Sequence, residues 1–198
     1  MRSGATLIYD GFSTGSLGGT AYFKEEERVT PFQKSRVRTS VALPDFRLVI
    51  WLMPAAFLLH IVEEYVGGFP RWATDVLHGS FNNVAFALNN AAFVVILTTL
   101  VFLNHRRAGT KRAIALVAFA SGNLFWDALF HLFTTSLFDR YSPGLVTAML
   151  LYYPLCLVIG FVIVKQRVLP LGQFVAALVG GLVLFTLVVW YGLFHFEV

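Results

Sequence analysis

Five long apolar stretches restrict this chain more than any other feature. They cover about 46–66, 82–103, 112–136, 144–164 and 173–195. A helix needs about 20 mostly apolar residues to cross the hydrocarbon core of a bilayer. Without water to satisfy backbone groups, a single apolar segment crosses as a helix. Charged residues make up 13% of the 198-residue chain and hydrophobic ones 57%, whereas a soluble domain carries about a quarter charged residues. The expected fold class is all-α, an integral membrane bundle of five transmembrane helices built from residues 46–198. The third stretch is long enough to tilt or project. Pro54 and Pro154 lie inside the first and fourth and are expected to kink them.

Residues 1–45 are different material. Gly, Ser and Thr lead into Lys24-Glu25-Glu26-Glu27-Arg28 and then Lys34, Arg36 and Arg38, without an apolar period. The expectation is a flexible, basic and polar cytoplasmic tail. Cys156 is the single cysteine, which excludes an intramolecular disulfide and a multi-cysteine metal site. The net charge of +4 is not a nucleic-acid footprint.

Lys and Arg alternate between the two ends of the stretches. Arg47, then Arg106, Arg107, Lys111 and Arg112, then Lys165 and Arg167 share one side with the tail. The other side has Arg71 and Arg140, offset by Asp75, Asp139 and Glu197. Positive charge stays inside. This predicts a cytoplasmic amino terminus and an outer carboxyl terminus, most simply in a bacterial inner membrane.

Polar residues inside the stretches carry the chemistry. A carboxylate at the centre of a spanning helix costs about 2.5–3.5 kcal/mol on insertion scales. The first stretch nevertheless holds His60, Glu63 and Glu64, which share one helical face at i, i+3 and i+4. The third holds Asn123, Asp127 and His131 on one face, at i, i+4 and i+8. Asn82, Asn83, Asn89 and Asn90 open the second. Tyr152 and Tyr153 lie in the fourth, and Trp190, Tyr191 and His195 end the fifth. Most of these fall between the midplane and the outer side, while the inner halves are far plainer. Stabilising hydrogen bonds would scatter in depth, so the clustering predicts a shared polar site open outward.

His60, Glu63, Asp127 and His131 are the candidate metal ligands, suited to zinc or non-haem iron. The same four with Glu64 are the candidate acid, base or catalytic groups, and Asn90 and Asn123 the candidate ligand-binding groups. Glu64 alone also fits interfacial water near the helix end. The bland reading of the Asp127 and His131 pair is a packing hydrogen bond. For Asn82, Asn83 and one of Asn89 and Asn90 it is hydrogen bonding between helices, worth about 0.6–2 kcal/mol each. Adjacent positions diverge by about 100°, so both of an asparagine pair are not expected to face one point. The first and third stretches are expected to touch through their polar faces, bringing His60 or Glu63 to Asp127 or His131.

His60-Ile61-Val62-Glu63-Glu64 resembles the signature of the HXXEE family, small multi-pass membrane proteins of unknown function. Gly122-Asn123-Leu124-Phe125-Trp126-Asp127-Ala128-Leu129-Phe130-His131-Leu132 and Tyr141-Ser142-Pro143-Gly144 with Leu145-Val146-Thr147-Ala148 are similar to its later motifs, in the same order. The resemblance spans roughly residues 48–170. It implies a membrane location and a shared polar site, and it implies no reaction.

Three functions compete. One is a metal-dependent enzyme acting on a membrane lipid or other apolar small molecule. Another is a small-molecule or proton-coupled carrier that relays protons through the same groups, with a homo-oligomer supplying its second half. The last is a structural subunit of a larger membrane complex. Nucleotide-binding loops and His-Glu-x-x-His are absent from the sequence.

Overall fold

The computed structural model describes residues 43–194; the expectations for the tail up to Ala42 and for His195 fall outside them. The described chain is all-helical. Five helices are long and apolar enough to cross a bilayer: α1 (Phe46–Gly67), α3 (Asn83–Arg106), α4 (Thr110–Phe138), α5 (Leu145–Lys165) and α6 (Leu171–Phe194). A short helix, α2 (Phe69–Leu77), lies between α1 and α3.

The ends are set by local chemistry. Asp45 caps α1 by accepting from Arg47 N at 2.8 Å. Asn82 caps α3, its side chain accepting from Val84 N and Ala85 N at 2.9 Å each. This cap adds to the expectation of a bond between helices at Asn82 a role within its own helix. Gly68 ends α1 at φ +76° and Pro70 sits in the first turn of α2. Each internal proline follows an irregular turn. Pro54 follows a turn at Ile50 and Trp51 that interrupts α1, and Pro154 follows a π-helical segment, Ala148–Tyr152. Proline donates no N–H and crowds the preceding turn, and a wider turn relieves both. A second π-helical segment, Ser121–Trp126, runs directly into Asp127 in α4.

α1 and α5 run antiparallel. Gln166 ties the end of α5 to the start of α1, donating to Pro44 O at 2.8 Å and accepting from Phe46 N at 3.3 Å. Asn104 clamps the α3–α4 turn through Leu100 O and Arg112 O. α6 packs on α4 through small residues: a Cβ on Gly122 would lie 3.0 Å from Gly181 O. Close backbone approach of this kind replaces the hydrophobic drive that lipid cannot supply. Trp126 Nε1 adds a bond to Leu178 O at 2.9 Å. An apolar core around Ile50, Leu97, Leu116, Leu124 and Val162 fills one half of the bundle. The other half, where α1 and α4 finish and α3 and α5 begin, holds the polar groups.

Candidate metal centre

One helical turn separates His60 from Glu64 on α1, and the same spacing separates Asp127 from His131 on α4. The bundle sets the two pairs face to face, so the expected contact between these helices is made. His60 Nε2 lies 3.1 Å from Asp127 Oδ2 and 3.7 Å from Glu64 Oε1. His131 Nε2 lies 3.5 Å from Glu64 Oε1 and 3.7 Å from Asp127 Oδ2. Both imidazoles are buried.

These approaches are close but not aligned. Neither Nε2 atom has a hydrogen-bond partner, although both are fully enclosed. A buried polar atom left unmet costs about 1–3 kcal/mol. Ring nitrogens that converge with carboxylate oxygens without pointing at them are arranged as ligands are around a common ion. One donor atom each from His60, Glu64 and His131 lies within 4.8 Å of the others. Around a tetrahedral ion with bonds near 2.0–2.2 Å, ligand atoms stand roughly 3.4 Å apart. Glu64 Oε1 stands 3.7 Å from His60 Nε2 and 3.5 Å from His131 Nε2, slightly above that value.

The far side of each ring is fixed. His131 Nδ1 pairs with Ser142 Oγ at 2.8 Å, and His60 Nδ1 with Thr147 Oγ1 at 2.8 Å. The Thr147 hydroxyl donates to Gly144 O at 3.2 Å. It therefore accepts from His60, whose tautomer, inferred from this network, carries its proton on Nδ1 and leaves Nε2 as a lone pair. Gly144 sits under both rings at φ +108°, where a Cβ would come within 2.8 Å of His60 Cε1 and 2.7 Å of His131 Cε1. Tyr152 is buried against His60, ring centres 4.5 Å apart.

Glu63 departs from the expected ligand set. Its carboxylate faces the start of α5, accepting from Thr147 N at 2.6 Å, Val146 N at 3.1 Å and Gly144 N at 3.2 Å. Tyr141 also donates to it. A helix amino terminus offers unpaired N–H groups and favours an anion. Partial burial, then the bond and charge of Glu63, push the half-exposed Tyr141 hydroxyl up to about 12. Glu64 departs from its interfacial reading in the opposite sense: it is 7% exposed and faces both histidines. Positions i+3 and i+4 straddle the direction of His60. The α5 terminus captures the first and leaves the second to the cluster.

Above the cluster lies a cavity lined by His60, Glu64 and Asp127, by Asn89, Asn90 and Asn123, and by seven phenylalanines: Phe57, Phe69, Phe81, Phe86, Phe93, Phe130 and Phe185. Both members of the Asn89 and Asn90 pair line it, contrary to expectation, because the cavity is a wall and not a point. Asn90 and Asn123 each donate to a carbonyl of their own helix, at Phe86 and Phe119. This leaves their amide oxygens for the cavity.

The matched motif now has a physical meaning. His60 and Glu64 face the cluster, Glu63 braces the start of α5 through Tyr141, Gly144 and Thr147, Thr147 also holds His60, and Ser142 holds His131. The profile described as a protein of unknown function with HXXEE motif matches residues 51–159. The chain belongs to the HXXEE family. No curated protein and no solved structure matches it significantly. Ser142, Thr147 and Gly144 belong to a motif visible in the sequence, but their partners lie on other helices.

Proposed function

We propose that the protein is a membrane-embedded, metal-dependent enzyme acting on a lipid or other apolar small molecule. The observation that carries this reading is the pair of unpartnered, buried imidazole Nε2 atoms converging with Glu64 and Asp127 at the foot of a phenylalanine-lined cavity. His60, Glu64 and His131 hold the ion. Two histidines and one carboxylate suit catalytic zinc with an open position, or non-haem ferrous iron. A divalent cation there supplies Lewis-acid activation of water or of a substrate oxygen. Asp127 borders the cavity and takes the proton as general base. Asn90 and Asn123 orient the polar part of the substrate, and the phenylalanines exclude water.

Metal analysis of protein purified without chelators tests the reading. Stoichiometric zinc or iron is expected in the wild type and is lost in His131→Ala and Glu64→Gln. Metal-free protein from metal-replete cells would overturn it. The 3.1 Å approach of His60 to Asp127 would then favour a proton-coupled carrier, recognised by proton-linked uptake in vesicles.

A further inference from the structure

We propose that the substrate is a long-chain amphiphile that reaches this site sideways from the bilayer, through the cleft between α3 and α6. The proposal rests on the metal-centre reading for the chemistry at the foot of the cavity, but not for the route.

The direct way to water is roofed. α2, the segment before α3 and the first turn of α3 lay Phe69, Trp72, Ala73, Phe81, Ala85 and Phe86 together as a second buried cluster. Phe69 and Phe81 belong to both that cluster and the cavity wall. Both are nearly inaccessible, at 7% and 6% exposure.

The side is open. The cavity shares Phe81, Asn89, Phe93, Val188 and Gly192 with a shallower cleft that continues outward between α3 and α6. α6 packs chiefly on α4 and not on α3. The outer lips of the cleft include Leu88, 55% exposed, and Leu187, 48% exposed, and exposed Ala92 also lines it. All three lie inside spanning helices, so the cleft meets lipid chains. A second groove, between α1 and α3, shares only Phe86 and Asn90 with the cavity.

Polarity changes along this path. Charged and imidazole groups stand at the foot, asparagines form a collar, and the cleft beyond is apolar apart from Asn89 and Tyr191. A molecule matching that order has a polar head at the cluster and a hydrocarbon chain lying toward the lipid. A uniformly apolar ligand would leave the three asparagine side chains facing hydrocarbon, which is costly.

The test uses the full chain in lipid nanodiscs with a diazirine-bearing long-chain fatty acid, followed by peptide mapping. Labelling at Leu88, Ala92 and Leu187 is expected to exceed that at Leu150 and Val158 on the lipid-facing surface of α5. It should fall several-fold with excess unlabelled fatty acid. Ala92→Trp, at an exposed position away from the metal ligands, should reduce cleft labelling several-fold at unchanged metal content. Uniform labelling that ignores competitor overturns the proposal, and so does labelling concentrated at Leu58 and Val62 in the α1–α3 groove. Metal content is read on the same samples. Cleft labelling in metal-free wild type would uphold the route while removing the metal centre, and a metal-loaded protein with uniform labelling would do the reverse.

Discussion

Thr147 Oγ1 lies 2.8 Å from His60 Nδ1 while its own proton goes to Gly144 O, 3.2 Å away. This hydroxyl fixes the tautomer of His60, a candidate ligand. Thr147→Val keeps the shape and removes the acceptor. Metal affinity should fall by about 10–100-fold, the usual effect of losing an outer-shell partner. Thr147→Ser should restore most of it. Competition with a chelator of known affinity reads both.

The adjacent carboxylates should respond in opposite ways. Glu63→Gln weakens the charge-assisted bonds to Gly144, Val146 and Thr147 N–H groups. Its expected effect is a loss of stability of about 1–3 kcal/mol with metal still bound. Glu64→Gln removes an anion that faces both imidazoles. It should lose the metal and keep the fold. Thermal unfolding in detergent beside metal analysis separates the two.

Much of this was legible beforehand, and the limit falls at a definite point. Spans can be read because lipid demands about 20 apolar residues per crossing. His60, Asp127 and His131 can be read because ionisable groups there need partners, and spacing gives their faces. The division between Glu63 and Glu64 cannot. Both sit beside His60 on the helix surface, and the α5 terminus, some 80 residues on, decides between them. The π-helical segments are equally hidden. That before Pro154 has a local cause, whereas nothing local marks Ser121–Trp126, where close packing against Gly181 accompanies the wider turn.

Alkaline pH should weaken the brace at Glu63. Tyr141 has its hydroxyl raised to about 12, above the ordinary value near 10. A group raised on folding contributes stability in full below its unfolded value and loses it as pH rises through the folded one. Stability should therefore decline between about pH 10 and 12. Tyr141→Phe should remove this part of the alkaline decline. Unfolding midpoints across that range, with tyrosinate absorbance, give the check.

Gly144→Ala should be among the most damaging single changes. The residue has φ +108°, and its added methyl would meet both imidazole rings. Backbone strain alone costs about 1–3 kcal/mol, and the rings cannot yield without leaving Ser142 and Thr147. Metal loss and a lowered unfolding temperature are expected together. Gly172→Ala, where nothing lies near the added Cβ, serves as the matched control.

Orientation can be tested through two exposed turns at opposite ends of the bundle. Arg47, Arg106, Arg107, Lys111, Arg112, Lys165 and Arg167 gather at one end. His105 Nδ1 lies 3.1 Å from Arg47 O, and Gln166 reaches Pro44, so these segments share a side. The end that holds the candidate site has Arg71 and Arg140 against Asp75 and Asp139. Retention of positive charge in the cytoplasm predicts that the candidate site lies toward the outer face. With Cys156→Ser as background, Ser80→Cys should react with an impermeant maleimide in intact cells. Ala108→Cys should react only after permeabilisation. The opposite pattern would place the site toward the cytoplasm, and with it the source of any amphiphile in the inner leaflet.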